Sequence, residues 1–278
     1  MTSLLGAAEI REIAARIEVT PTKKLGQNFV VDGNTCRRIV KSAEVTKADV
    51  ALEIGPGLGS LTLAMMEEAS QVIAIEIDNR LAAELPLTAA AHGFDPALLT
   101  VINQDALEVS TLPIDPTVLV ANLPYNVSVP VLLRFLELFP TLRAGVVMVQ
   151  SEVADRLVAS PGSKNYGSPS VKSTWWADMS SAGNVGRSIF WPVPNVDSSL
   201  VRFVRHAPAG DEELRRKTFR IIDAAFAQRR KMLRAALSEI FGGSAQASTA
   251  IESAGIDPTL RGEALLLPAF ISIAQQLP

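Results

Sequence analysis

Cysteine, histidine and cationic side chains are all in short supply in this chain, and each shortage removes a class of explanation. Cys36 is the only cysteine among 278 residues, so no disulfide can form within the chain. With that single thiol and only two histidines, His92 and His206, a zinc site has too few ligands, and no metal is expected. No apolar run reaches the roughly 18 residues of a membrane span. The amino terminus also lacks a basic-then-apolar leader pattern. A cytoplasmic protein with no membrane partner is expected. Net charge is −3, so global charge does not announce a nucleic-acid binder. What the chain does have is apolar content, 48% of its residues. That suits one large domain and a smaller one.

From Val50 onward strand and helix patterns alternate, the mark of a parallel α/β sheet. Strands are expected at Val50–Ile54, Val72–Ile75, Leu99–Ile102, Val118–Ala121 and Val146–Gln150, with two more near Val171–Met179 and Ser199–Val204. Trp175 and Trp176 then read as sheet residues. Ahead of the sheet, Ala7–Glu18 reads as a short amphipathic helix, and Asn34 as the cap of a second helix. Asp78 reads as the cap of a helix starting at Asn79. Gly, Ser and Pro crowd residues 159–170, which suggests a mobile loop. After His206 the composition changes and no strand pattern follows. The expected boundary therefore separates 1–206 from an all-helical 207–278.

Charge is distributed unevenly across that boundary. Arg205 to Arg234 holds nine Lys/Arg against four acids. Such a segment is a candidate phosphate-facing surface, or else a solvated helix face. If the helix from Glu212 ran on to Phe241, Lys217, Arg220, Lys231 and Arg234 would share one side. A kink near Gln228 would break that alignment.

Three strand ends carry the groups of a nucleoside site. Gly55-Pro56-Gly57-Leu58-Gly59 follows the first sheet strand and opens a helix, whose free N–H groups suit an anionic group. The G-x-G-x-G spacing differs from the G-x-G-x-x-G of dinucleotide binders and disfavours a dehydrogenase. It suits a smaller ligand such as S-adenosylmethionine. Glu76 ends the second strand, where a carboxylate can accept both hydroxyls of a ribose. Asp105 follows the third, where an acid can accept from an adenine amino group. Glu53 reads either as a brace for the loop or as a group approaching the cofactor amine.

The fourth strand runs into Asn122-Leu123-Pro124-Tyr125. An Asn side-chain carbonyl and a neighbouring backbone carbonyl can accept both protons of an exocyclic amine. That draws the nitrogen lone pair out of conjugation as it attacks. Tyr125 can offer a ring face to the base, and Pro124 stiffens the turn. The plain alternative is an ordinary strand-to-loop exit.

Taken together, these stretches resemble the ribosomal RNA adenine N6,N6-dimethyltransferases, the KsgA family. The resemblance is carried by Leu25-Gly-Gln-Asn-Phe-Val30, Glu53-Ile-Gly-Pro-Gly-Leu-Gly-Ser-Leu-Thr62 and Asn122-Leu-Pro-Tyr-Asn126. It extends through Phe190-x-Pro192-x-Pro194-x-Val196-Asp197-Ser198 and Phe226-Ala-Gln-Arg-Arg-Lys-Met-Leu233. It implies a Rossmann-like class I methyltransferase domain, with a mostly parallel seven-stranded sheet, followed by a small all-helical domain. It implies S-adenosylmethionine held by Asn28, Val30, Gly55, Gly57, Glu76, Asp105 and Asn122. Catalysis would fall to Asn122, Pro124, Tyr125 and Phe190, with Tyr125 and Phe190 on the two faces of an adenine turned out of its stack; Phe190 also reads as a core residue before a proline turn. RNA contacts would come from Lys23, Lys24, Arg229, Arg230, Lys231 and Arg234, although Arg229 and Arg230, close to the apolar stripe, read nearly as well as structural ion pairs with the large domain. The implied partner is small-subunit ribosomal RNA, in the subunit or an assembly intermediate, met by a monomer. A large-subunit methyltransferase and a non-catalytic assembly factor on the same fold are the alternatives. Val30 stands where the family usually has Leu, and Pro169 departs from its pattern in the 166–171 loop.

Overall fold

The computed structural model describes residues 4–21 and 27–277. The chain divides into two compact units. One comprises Met1–Ala154 with Ser180–Arg205, the other Asp155–Met179 with His206–Pro278. The sequence boundary at 206 therefore needs one addition, because 155–179 leaves the first unit and joins the second.

In the first unit α1 (Ala7–Arg16) leads to a two-residue strand, β1 (Phe29–Val30), and then to α2 (Gly33–Ser42). Asp32, not Asn34, caps α2, accepting from the backbone N–H groups of Asn34 and Thr35. An acid one residue before the helix can reach both of those orphan donors. The alternating core follows: β2 (Val50–Ile54), α3 (Ser60–Glu68), β3 (Gln71–Glu76), α4 (Asn79–Ala91), β4 (Leu99–Asn103), β5 (Val118–Asn122), α5 (Ser128–Leu138) and β6 (Ala144–Gln150). Asp78 does cap α4, its carboxylate accepting from Arg80 N–H at 2.9 Å.

The remaining elements are α6 (Ser151–Leu157), α7 (Ser168–Ser173), β7 (Ala177–Val185), β8 (Phe190–Trp191) and β9 (Ser198–Arg205). The seven-stranded sheet has the order β4-β3-β2-β5-β6-β9-β7. β4 through β6 run parallel and β9 runs antiparallel to β6. The strand order reverses between β2 and β5, and such a switch point opens a crevice at the carboxyl ends of the strands. Both neighbours there are buried apolar runs, as a sheet covered on two faces requires. A separate two-stranded ladder pairs β1 with β8, Phe29 opposite Trp191 and Val30 opposite Phe190.

Gly145 on β6 is set by contact. A Cβ there would lie 2.2 Å from the Leu119 carbonyl oxygen and 2.5 Å from the Phe203 ring. Backbone of a central strand cannot yield to it, so Gly145→Ala is expected to cost about 3 kcal/mol of stability. A denaturant midpoint unchanged from that of the native chain would contradict this.

The strand expected near Val171–Met179 starts later: only residues 177–179 are extended, as the first residues of β7, while residues 171–173 end α7. Pro169 sits in the first turn of α7, a position that needs no N–H donor, and Trp175 and Trp176 follow in a turn. Both indoles pack edge-on against Phe219 of α8 (Glu212–Ala227). Lys172 and Ser168 meet Asp223 of the same helix, which is why this segment belongs to the second unit. Residues 159–170 are pinned there too. Gly162 N–H donates to the Glu263 carbonyl, and the Tyr166 hydroxyl to that of Leu265.

The rest of the second unit is α9 (Leu233–Ala236), α10 (Ser238–Phe241), α11 (Ser244–Ser253) and α12 (Leu267–Ala274). Because α8 stops at Ala227, with Gln228 outside helical geometry, the long cationic face does not form. Much of the positive charge is also answered locally, since Arg215 and Arg216 both meet Glu212 and Lys217 meets Glu213. Among the described residues no helix is long and apolar enough to cross a membrane.

Candidate active site

At the switch point lies a cavity of about 230 Å³. Every described charged side chain on its wall is acidic: Glu53 at the end of β2, Glu76 at the end of β3, and Asp105 after β4. The glycine turn forms its floor. Gly55, Gly57 and Gly59 all have positive φ, at 70°, 57° and 100°. Phe29 packs closely on the turn, its ring carbons standing 2.8 Å from where a Cβ on Gly57 would lie. Only glycine combines that backbone conformation with so close a neighbour.

Glu76 is 5% exposed, and each of its oxygens takes one backbone donor. Oε2 accepts from Gly57 N–H at 3.1 Å and Oε1 from Asp78 N–H at 3.0 Å. An ionised carboxylate has about four acceptor sites, so two remain for a ligand. Burial raises its pKa, and the backbone donors from Asp78 and Gly57 pull it back. Asp105 spends Oδ1 on Leu107 N–H at 2.8 Å and lines the cavity.

Glu53 is 1% exposed and receives the Thr62 hydroxyl at 2.5 Å. Burial pushes its pKa from 4.5 up to about 8, Thr62 opposes that rise, and the nearby Glu76 charge adds to it. Between those values the folded chain keeps a proton that the unfolded chain has released. Stability therefore falls as pH rises through this window and levels off above about pH 8. Glu53→Gln is expected to flatten that decline, gaining stability over the native chain near pH 8 and almost none near pH 4.5. Urea titrations at the two pH values check it, and equal differences at both would contradict it.

The Asn122-Leu123-Pro124-Tyr125 turn hangs over the cavity from the end of β5. Asn122 Nδ2 donates to the Asn28 carbonyl at 3.1 Å, and this bond ties the turn to the segment leading into β1. With Nδ2 engaged, Oδ1 has no hydrogen-bond donor among the described residues. Leu123 N–H continues the ladder to Met148 at 3.0 Å. The Pro124 carbonyl accepts Val127 N–H at 3.2 Å and keeps a second lone pair. The Tyr125 hydroxyl meets Ser198 Oγ at 2.9 Å.

The structure thus brings Asn28, Val30, Gly55, Gly57, Glu76, Asp105, Asn122 and Pro124 to one cavity wall. Tyr125 is not among the residues lining that wall, and neither is Phe190. Phe190 is 2% exposed and packed in the apolar core, its backbone paired with Val30, so it has no open ring face in this conformation. Its visible role is to pair with β1 and fill the apolar core. Arg229 follows the ion-pair alternative, with a partner in the second unit and not in the large domain. It pairs with Glu263 at 2.9 Å and donates to the Ser163 carbonyl, so it braces the second unit. Arg230, Lys231 and Arg234 are exposed. Lys23 and Lys24 lie outside the described residues. Phe29 and Ser198 went unassigned in the sequence, although each sits inside a quoted stretch.

The chemistry of the wall fits S-adenosylmethionine. Carboxylates suit an amine, a ribose diol and a cationic sulfur, and no Lys or Arg among the described lining residues would repel that charge. Comparison with known proteins agrees. The model of a family described as ribosomal RNA adenine dimethylase matches residues 20–272. The chain is 58% identical to ribosomal RNA small subunit methyltransferase A of Leifsonia xyli, covering 98% of each chain. It is 55% identical to the protein of the same name from Kineococcus radiotolerans, over 100% of this chain and 93% of that one. Among solved structures, a dimethyladenosine transferase from Plasmodium falciparum superposes with a TM-score of 0.74 at 23% identity, covering 88% of this chain and 95% of that one. The 23S rRNA methyltransferase ErmE gives 0.66 at 25% identity, covering 90% and 99%.

Proposed function

The chain belongs to the ribosomal RNA adenine dimethylase family, and on that footing we propose that it dimethylates N6 of two adjacent adenosines in a hairpin near the 3′ end of small-subunit (16S) ribosomal RNA. The observation that carries the residue roles is the open Oδ1 of Asn122 over an acid-lined cavity. The chemistry supplied by bound S-adenosylmethionine is an electrophilic methyl group on a sulfonium. Glu76, Asp105, Asn28, Val30 and the glycine turn hold that cofactor.

Asn122 Oδ1 and the second lone pair of the Pro124 carbonyl accept the two amine hydrogens of the target adenine. These fixed dipoles favour the positive charge that grows on nitrogen during attack. Tyr125 gives the base a ring face, and positioning is the other main contribution. Each round forms a C–N bond, breaks a C–S bond and releases one amine proton to water. A target in a hairpin loop leaves its stack at low cost, which suits a site reached only by an extruded base.

Arg230, Lys231 and Arg234 supply phosphate contacts, which add affinity without reading sequence. The substrate is the small subunit or its assembly intermediate, met in the cytoplasm by a monomer. Alanine at both Arg230 and Lys231 is expected to weaken binding and make the dependence of log K on log salt shallower by about 1.5. Arg229→Ala should lower thermal stability instead. Filter binding across a salt series separates the two, and an unchanged slope in the double variant would remove these residues from the interface.

The function itself is tested by labelled methyl transfer to unmethylated small subunits, with large subunits and naked RNA alongside. Label recovered as N6,N6-dimethyladenosine from the small subunit is expected. Label confined to the large subunit would place the chain with the ErmE type of activity.

A further inference from the structure

We infer that Ser198 is a positioning residue for the second methyl transfer, acting by anchoring the ring of Tyr125. The inference rests on the methyl-transfer reading above and extends it to a residue whose side chain does not line the cavity.

Ser198 is the first residue of β9 and is fully buried. It cannot drift, because its backbone stands opposite Gln150 in the β6–β9 ladder. The residues on either side are held as well. The Asp197 carbonyl accepts Ser151 N–H at 2.9 Å. Ser199 Oγ meets Ser151 Oγ at 2.8 Å and Asn184 Oδ1 at 3.0 Å. Against this fixed frame the Tyr125 hydroxyl makes a side-chain hydrogen bond, at 2.9 Å across 73 residues of sequence. Tyr125 itself stands on a short turn closed by the Val127 to Pro124 bond. Without the far anchor, its ring would be free to swing about χ1 and χ2.

The two rounds of transfer depend on that ring to different degrees. In the first round the target amine carries two hydrogens, and both Asn122 Oδ1 and the Pro124 carbonyl can hold it. After one methyl has been added, a single N–H remains, so one of those two bonds is gone. The base is then held to a larger extent by the ring face, and a ring free to swing misplaces it. Loss of the anchor should therefore slow the second round more than the first and let monomethylated product accumulate.

The test uses the full chain with Ser198→Ala, Tyr125→Phe and the double variant, on unmethylated small subunits. Nucleosides are quantified over time as N6-methyl- and N6,N6-dimethyladenosine, with cofactor affinity measured by calorimetry. Each single variant is expected to raise the ratio of mono- to dimethyl product about five-fold, the size of effect expected for one lost hydrogen bond. The double variant should be no worse than either single, because both remove the same bond. Cofactor affinity should be unchanged.

Native product ratios in both single variants would overturn the inference, as would effects that multiply in the double. If Ser198→Ala fails to bind cofactor through misfolding, Tyr125→Phe, which removes only an oxygen, decides alone. A native chain that makes no dimethyladenosine would instead overturn the function proposed above.

Discussion

Alanine at Asn122 is expected to slow methyl transfer about 1000-fold while leaving cofactor affinity within about ten-fold of the native value. The size follows from what the side chain does. An aromatic amine is a poor nucleophile because its lone pair belongs to the ring. A fixed acceptor that draws the hydrogens out of plane acts mostly at the transition state, so its loss appears in kcat. The Pro124 carbonyl remains in the variant and keeps the amine nearby, which separates orientation from simple binding. The substitution also releases the Asn28 carbonyl, now held at 3.1 Å, so a small loss of cofactor affinity accompanies the large loss of rate. Single-turnover transfer at saturating cofactor measures the rate and calorimetry the affinity. A rate within ten-fold of native would take the catalytic role away from Asn122.

Glu76→Ala should have the opposite profile, with affinity for S-adenosylmethionine weakened about 100-fold and turnover at saturating cofactor little changed. Glu76 is a buried carboxylate with both oxygens half-engaged by backbone, so its remaining acceptor sites face the cavity already oriented. Its removal costs the ligand two charge-assisted bonds and also strands the N–H of Gly57. Both effects act before chemistry begins. An unchanged dissociation constant would place the ribose elsewhere on the wall.

The parallel core and the three acidic strand ends were legible because the signals there are local. A buried strand reads as an unbroken apolar run, and the residue that follows it at the switch point has few other uses. Residues 171–176 misled for the converse reason. Its bulky residues do pack a core, but that core is the aromatic cluster around Phe219, reached from a short helix and a turn. The end of α8 at Ala227 was legible only as a condition, a kink near Gln228, because the apolar spacing continues past the break, with Leu233 and Leu237 both buried. The two-residue strands β1 and β8 are too short to show any period. The Tyr125–Ser198 bond spans 73 residues and has no local signature. Phe190 was assigned by its place in a stretch, and only burial reveals that its ring is already covered.

The central claim concerns two oxygen atoms and one nitrogen. A crystal structure of the chain with S-adenosylhomocysteine and adenosine tests it most directly. The adenosine N6 is expected within hydrogen-bond distance of both Asn122 Oδ1 and the Pro124 carbonyl oxygen, with the base against Tyr125. An amine turned toward solvent, with Asn122 Oδ1 directed away from it, would contradict the mechanism.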